Sequence, residues 1–159
     1  MEFRSKWHDD IARKIGGHKD SLSQKESKKY KLDLLLRIAQ RVADFSAECG
    51  ECQLLQPEIT RLTEDLGILV QLPKEQQNKE QRKNYFRTIN SIIKHLQKQH
   101  KLVTEGYYIG IGTAIGSGIG VAIGAGSDNV GIGMPIGIGI GVAIGAYLDK
   151  KAKKEGRVI

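Results

Sequence analysis

The sequence predicts an all-α fold in two parts, a small up-down-up helical bundle followed by a glycine-rich helical hairpin. Three observations predict it. Apolar residues recur at steps of three and four through the first hundred residues, which is the spacing of amphipathic helices. A glycine-rich segment then occurs twice. Between Gly106 and Leu148 the only charged residue is Asp128, so composition itself marks the boundary between the two parts.

The predicted helical head, residues 25–104, opens with a helix-start signal. Ser23 and Glu26 have the spacing of a capping box, in which the serine oxygen and the glutamate each accept a backbone N–H. Helix A is therefore placed at about 25–48. Its apolar stripe consists of Leu32, Leu35, Ile38, Val42, Phe45, Cys49 and Cys52.

Two further amphipathic helices are expected in the head. Pro57 suits a first helical turn, so helix B should run from there to Leu72, and helix C should end near Thr104. Their stripes are Ile59, Leu62, Leu66 and Leu69 in helix B, and Tyr85, Ile89, Ile92, Leu96 and Val103 in helix C. Short connections make neighbouring helices antiparallel, which gives the up-down-up bundle.

Residues 1–24 form a predicted N-terminal arm. Its short apolar cluster of Trp7, Ile11 and Ile15 fits either a docked amphipathic helix or a loose arm. The first ten residues are polar and charged, so no secretory signal is predicted and the head is expected in the cytosol.

The glycine-rich part, residues 105–148, contains a true internal repeat. Residues 110–125 read GIGTAIGSGIGVAIGA and residues 131–146 read GIGMPIGIGIGVAIGA, so the copies differ at three positions. The residues between them, Gly126 to Asn129, favour a tight turn. The two copies should therefore fold back on one another, followed by a basic tail at 149–159.

The two arms have the length of membrane-spanning helices. Arms of nineteen residues, 107–125 and 130–148, would each be about 28 Å long at 1.5 Å per residue, close to the hydrocarbon thickness of a bilayer. Glycines four apart form small-xxx-small lines that let helix backbones touch, and we expect them to pack oligomers. They are Gly112, Gly116, Gly120, Gly124, Gly133, Gly137, Gly141 and Gly145.

Aromatic and basic residues predict the position of the membrane surface. The interface residues are Tyr107, Tyr108, Tyr147, Lys150, Lys151, Lys153 and Lys154. Tyrosine is enriched at membrane interfaces and lysine on the cytoplasmic side. The hairpin is therefore expected in a membrane, with the head and both termini cytoplasmic.

A β-strand interpretation of the same region is the alternative. Small and β-branched residues alternate through both copies, which is a strand signal and is typical of stacked sheets. A nineteen-residue strand would, however, be roughly 60 Å long. Pro135 would also interrupt a central strand. Under this alternative the protein is structural and assembles through stacked glycine-rich β-hairpins into a filament or barrel.

The pattern resembles bacterial glycine-zipper proteins with two membrane segments, over residues 106–157. The resemblance implies membrane association. The expected function is a membrane-embedded, self-associating protein that acts as an oligomeric scaffold or as a pore or permeabilising element. No catalytic constellation is found, so no enzyme activity is expected.

One group of residues has metal-binding chemistry. Cys49 and Cys52 form a Cys-x-x-Cys, and His95 and His100 lie late in helix C, at the same end of an up-down-up bundle. These are zinc-ligand types, although histidines five apart share a helix face poorly. Both cysteines also fall on an apolar stripe, which favours buried thiols, while zinc and a redox pair remain alternatives. No cofactor is otherwise expected.

The net charge of +7 limits the classes of partner to consider. It suits anionic lipid, nucleic acid or a solvated basic surface. Acidic neighbours dilute the basic patches and no nucleic-acid module surrounds them, so nucleic acid is not an expected partner. The expected partners are the lipid bilayer and further copies of the chain, and no small-molecule substrate is identified.

Overall fold

The computed structural model describes residues 6–71, 79–127 and 129–159, and these residues form seven helices and no extended strand. The helices are α1 (Lys6–Ser21), α2 (Gln24–Lys29), α3 (Leu32–Phe45), α4 (Gly50–Gln71), α5 (Lys79–His100), α6 (Tyr107–Gly126) and α7 (Val130–Lys154). The all-α prediction is confirmed. The stacked β-hairpin alternative is not supported, because both glycine-rich arms are helices.

The chain divides into two compact units, residues 1–100 and 101–159. In the first unit α3, α4 and α5 pack against one another, and α1 packs on α3 and α4. The core consists mainly of Ile11, Ile15, Leu32, Leu35, Ile38, Val42, Ile59, Leu62, Leu66, Leu69, Ile89, Ile92 and Leu96, all of them buried. The apolar stripes read from the sequence therefore supply the core.

The described part of the N-terminal arm is a docked helix. Ile11 and Ile15 are fully or almost fully buried, and the indole N–H of Trp7 donates a 3.1 Å hydrogen bond to the Thr60 hydroxyl oxygen on α4. Of the two possibilities that the sequence left open, the structure shows the docked helix for Lys6–Ser21.

Helix A of the sequence analysis is two helices. The capping box is confirmed: the Ser23 hydroxyl oxygen accepts from the Glu26 amide, and Glu26 accepts from the Ser23 amide. The helix that it starts ends at Lys29, however. Lys31 adopts a left-handed conformation, with φ of 55°, and breaks the helix before α3 begins.

Two other predicted boundaries were wrong. Helix α4 begins at Gly50, so Pro57 lies inside it rather than in its first turn, and the Gln53 carbonyl loses its intrahelical partner. Helix α5 ends at His100 rather than near Thr104, because Lys101 has a φ of 53°. The predicted end of helix B at Leu72 lies outside the described residues.

In the second unit α6 and α7 form an antiparallel hairpin. Asn129 caps α7 by accepting from the Ile132 amide, and Asp128 of the predicted turn lies outside the described residues. Past α7 the chain turns at Gly156, whose φ is 68°, and the Arg157 amide reaches the Ala152 carbonyl in a Schellman-type C-cap. The C-terminal residues then pair with the Val103 backbone.

Candidate functional site

The two arms of the hairpin meet through backbone rather than side chains. All eight glycines predicted from the four-residue spacing lie at this contact within one chain. A Cβ added to Gly120 would lie 2.5 Å from the Gly133 carbonyl oxygen, and one added to Gly124 would lie 2.7 Å from the Val130 Cα. Such distances leave no room for any side chain. The glycines are therefore required by the hairpin itself, and their use between copies stays a prediction.

The large apolar residues of the hairpin point outward. Ile111, Ile115, Ile119, Ile123, Ile132, Ile136, Ile140 and Ile144 are all exposed, while Gly116, Gly120, Gly124, Gly137, Gly141 and Gly145 are buried. In the most apolar 18-residue segment of each helix, only 17% is buried. Both helices are long and apolar enough to cross a membrane. This distribution is the reverse of a soluble core, in which isoleucine is inside.

The open end of the hairpin is closed by a carboxylate that sequence reasoning missed. The Asp149 oxygens on α7 accept from the Tyr108 and Ile109 amides, both at 3.1 Å, in the first turn of α6. Gly106, the N-cap of α6, has no side chain to do this. The sequence could have indicated this cap, because an acidic residue follows the second arm. A hairpin brings that residue to the positive end of the first helix.

The predicted interface residues lie at this same end of the hairpin. Tyr107 and Tyr108 begin α6 and contact one another edge to face, with ring centroids 5.3 Å apart. Tyr147 is exposed on α7, and the last turn of that helix carries the basic residues Lys151, Lys153 and Lys154. Lys150 is also exposed. Aromatic and basic groups therefore lie together, beside the ends of both apolar helices.

A second candidate site, the Cys–His cluster, is formed by Cys49, Cys52, His95 and His100 in the first unit. One ligand atom from each residue lies within 4.8 Å of the others. The Cys52 Sγ is 3.4 Å from His95 Nε2 and 3.3 Å from His100 Nε2, and the Cys49 Sγ is 3.6 Å from His95 Nε2. The convergence expected at one end of the bundle is present.

The local structure of α4 and α5 explains this convergence. The cysteines do not continue helix A, as the stripe suggested, because α3 ends at Phe45 and α4 begins after Cys49. Cys49 and Cys52 therefore flank the start of α4. His95 is inside α5 and His100 is its last residue, and their ring centroids are 5.4 Å apart although helical positions five apart differ by about 140°.

Two neighbours of the cluster were missed by sequence reasoning. The Glu51 carboxylate lies 3.0 Å from His95 Nδ1, the ring nitrogen that faces away from the sulfurs. The Phe45 ring stacks on His100 with a centroid distance of 3.9 Å. Glu51 lies between the two cysteines of the Cys-x-x-Cys, so the sequence already placed it near the cluster. Phe45 was predicted only as a core residue of helix A.

The cluster is partly buried, and burial disfavours the charged forms of Cys52 and His100. Cys52 and His95 are buried, and both cysteines are free thiols. Burial raises the pKa of the Cys52 thiol to about 12, with a further contribution from its hydrogen bond with Cys49. Burial also lowers the pKa of His100, helped by repulsion from His95. Two thiols and two imidazoles in this arrangement are ligands of the types that zinc binds.

A scan against protein-family models matches no family, and searches of the curated proteins and of the solved structures return no match. The functional argument therefore depends on the two sites themselves.

Proposed function

We propose that the chain is a membrane protein in which a helical head is held at the cytoplasmic face by a glycine-zipper hairpin, and that copies associate as an oligomeric scaffold or a permeabilising element. The proposal assigns no catalytic role. It names lipid and further copies of the chain as partners, and it extends the resemblance to bacterial glycine-zipper proteins.

The proposal rests mainly on the distribution of side chains in the hairpin, in which large apolar residues are exposed and glycines are buried. Soluble monomers rarely expose contiguous apolar patches larger than a few hundred Å². Both helices of this hairpin carry exposed isoleucines, and the contact between the helices is backbone on backbone. In lipid such a surface is solvated, and close backbone packing supplies the helix association that the hydrophobic effect cannot.

The ends of the hairpin support the orientation. Tyr107 and Tyr147 are exposed amphipathic rings at the end where the chain enters and leaves the hairpin, and four lysines of α7 follow. Lysine on the cytoplasmic side of a span is the common bias. The basic residues also suit anionic headgroups, which attract juxtamembrane lysines by about 1 kcal/mol each.

Membrane insertion is tested by fractionating cells that express the intact chain and washing the membranes with alkaline carbonate and high salt. We expect retention in the pellet and release by mild detergent. Release by carbonate would refute insertion. A detergent-resistant aggregate would indicate stacking of the hairpins rather than insertion.

A matched set of variants sharpens this test. Ile119 and Ile140 are 54% and 58% exposed on the hairpin, and Leu54 is 72% exposed on the head. An aspartate at mid-span costs about 2.5–3.5 kcal/mol, against about −4 kcal/mol contributed by the eight Ile, Val and Leu residues of the second arm. Ile119→Asp with Ile140→Asp should therefore shift the chain out of the pellet, and Leu54→Asp should not.

Self-association needs a surface other than the eight glycines at the contact between the two arms. A second line of small residues faces outward on α6, and a Cβ added to Gly110, Gly118 or Gly126 would have no atom within 4 Å. Ala114 and Ala122 lie between them and are exposed. We propose that copies meet along this outward line, because small residues let a second helix approach closely.

The two lines of glycine can be tested separately. Gly118→Leu should reduce the particle mass measured by light scattering in mild detergent, while leaving the hairpin folded. Gly116→Leu acts within the chain, where an added Cβ would overlap the Gly137 carbonyl. A native particle mass for Gly118→Leu would exclude the outward line as the contact.

The hydroxyl groups of α6 favour the scaffold over a pore. The Thr113 hydroxyl donates to the Ile109 carbonyl and the Ser117 hydroxyl donates to the Ala114 carbonyl, so each is satisfied by its own helix. Neither is needed to line a water-filled path. Vesicles containing the protein should therefore retain an encapsulated dye, and rapid dye release would support the permeabilising role instead.

A further inference from the structure

The Cys–His cluster lies in the first unit and has no part in the proposed membrane function. We propose that Cys49, Cys52, His95 and His100 bind one Zn²⁺ in a closed, structural site that joins the start of α4 to the end of α5. The inference does not depend on the hairpin, so it is tested independently of membrane insertion.

Three of the sulfur–nitrogen distances in the cluster are close to those that a tetrahedral zinc requires. With Zn–S of about 2.3 Å and Zn–N of about 2.0–2.1 Å, a tetrahedral angle places sulfur and nitrogen about 3.6 Å apart. The three sulfur–nitrogen distances are 3.3, 3.4 and 3.6 Å. All four ligand atoms lie within 4.8 Å of one another. A zinc ion would therefore draw the more distant pairs together by up to about 1 Å.

The surroundings of the ligands match those of a metal site. In metal sites the second nitrogen of a ligating histidine is usually held by a carboxylate or carbonyl, which fixes the ring and its tautomer. Here His95 directs Nε2 to the sulfurs and Nδ1 to the Glu51 carboxylate at 3.0 Å. His100 is held by its stacking contact with Phe45. Glu51 is thus a positioning residue for His95.

The backbone also suits bound thiolates. Cys49 precedes α4 and Cys52 lies in its first turn, where the positive end of a 22-residue helix stabilises negative sulfur. On binding, each thiol releases its proton and the sulfur donates a lone pair to the cation, while each neutral imidazole donates through Nε2. Two thiolates balance the charge of Zn²⁺.

The ligand set indicates a structural rather than a catalytic metal. Catalytic zinc keeps one position open for water or substrate, whereas structural zinc is bound by four protein groups. All four positions here are supplied by side chains, and two of them are buried. The site bridges sequence positions more than forty residues apart and includes the last residue of the first unit.

The test begins with the metal content of the intact chain, purified in mild detergent without a polyhistidine tag. We expect about one zinc per chain by mass spectrometry, and reduced apoprotein titrated with Co²⁺ should show the visible bands of tetrahedral cobalt and a thiolate charge-transfer band. Cys52→Ser and His100→Ala should lose both. His18→Ala, which alters a histidine of α1, should keep them.

A second pair of variants remains informative if loss of a ligand unfolds the head. Glu51 and Glu58 are both exposed on α4, but only Glu51 contacts a ligand. Glu51→Gln should weaken Zn²⁺ binding about 10–100-fold in a chelator competition, and Glu58→Gln should leave it unchanged. Equal Zn²⁺ affinities for the two variants would show that Glu51 does not position His95.

Two results would overturn the metal site itself. One is a purified chain that is metal-free and takes up neither Zn²⁺ nor Co²⁺ after full reduction of its thiols. The other is a reversible Cys49–Cys52 disulfide in the metal-free chain without any metal uptake, which would assign the cysteines to redox chemistry.

Discussion

Exchange of one glycine for alanine should separate the two faces of α7. Gly137 and Gly139 are two residues apart in the same helix, yet only Gly137 faces α6. A Cβ added to Gly137 would overlap the Gly116 carbonyl oxygen and lie 2.7 Å from the Gly120 Cα, whereas one added to Gly139 would have no atom within 4 Å. The same methyl group therefore meets backbone at one position and open space at the other.

The magnitude follows from these contacts. Carbon atoms pack at about 3.5–4.0 Å, so Gly137→Ala would force the arms roughly 1 Å apart and forfeit about a quarter to a half of each contact. Overpacking of this kind typically costs about 1–3 kcal/mol. Alanine in place of glycine also gains about 1 kcal/mol of helix propensity, equally in both variants. Gly137→Ala should thus be less stable than Gly139→Ala by about 1–3 kcal/mol.

Hydrogen exchange measured by mass spectrometry on the intact chain in mild detergent reports this difference directly. Peptides from α6 and α7 should exchange about 5- to 150-fold faster in Gly137→Ala than in Gly139→Ala, since 1.4 kcal/mol is a factor of ten. Gly139→Ala should match the parent chain or exchange more slowly. Equal exchange in the two variants would refute the backbone contact between the arms.

Three further predictions concern the head and the hairpin end. Removal of zinc by a chelator should lower the unfolding temperature of the head by on the order of 10 °C, because saturation at 100 times Kd contributes about 2.7 kcal/mol; an unchanged midpoint would contradict a structural metal. Tyr85→Phe should cost about 1 kcal/mol in urea unfolding, because the Tyr85 hydroxyl donates to the Tyr30 carbonyl at 3.1 Å. Burial raises the pKa of Tyr85, so the stability that the Tyr85 hydroxyl contributes is complete below pH 10 and falls as pH rises further. Tyr85→Phe should therefore lose less stability than the parent chain between pH 9 and 11. Parallel pH profiles of the two chains would count against this assignment. Asp149→Asn should speed amide exchange at Tyr108 and Ile109, with Glu155→Gln as the control, and no change there would mean that the cap is dispensable.

The periodic features of the sequence predicted the elements well. Leu32, Leu35, Ile38 and Val42 were assigned to one buried face, and all four are buried. The capping box at Ser23 was also recognised, because its hydrogen bonds are local and depend on residues three apart. Burial patterns and caps of this kind are encoded within a few helical turns, so a single sequence suffices to predict them.

Helix boundaries were less predictable where backbone conformation overrode the pattern. The predicted helix A runs through Lys31, and its apolar stripe continues from Phe45 to Cys49, yet the helix breaks at both places. Nothing in the side-chain pattern indicates that Lys31 and Lys101 adopt left-handed conformations, since that region is rarely occupied by residues other than glycine.

By itself the sequence determined the two-part division, the helical class and the residue types that could serve as metal ligands. It also determined that two arms are long and apolar enough to span a bilayer, because length and hydropathy are additive properties of a segment. Only the tertiary structure decided which surface each residue occupies. Gly116 and Gly118 belong to the same repeat, and only the crossing of α6 with α7 makes one essential and leaves the other free.

The Cys–His cluster shows the same limit over a longer range. The spacing of Cys49 and Cys52 was visible at once, but His95 and His100 lie more than forty residues away, and histidines five apart predicted divergent side chains. Convergence depends on where α4 begins, on where α5 ends and on how the two helices pack. These are non-local properties of the fold, so the sequence supplied the ligand types and the packing of the helices supplied the site.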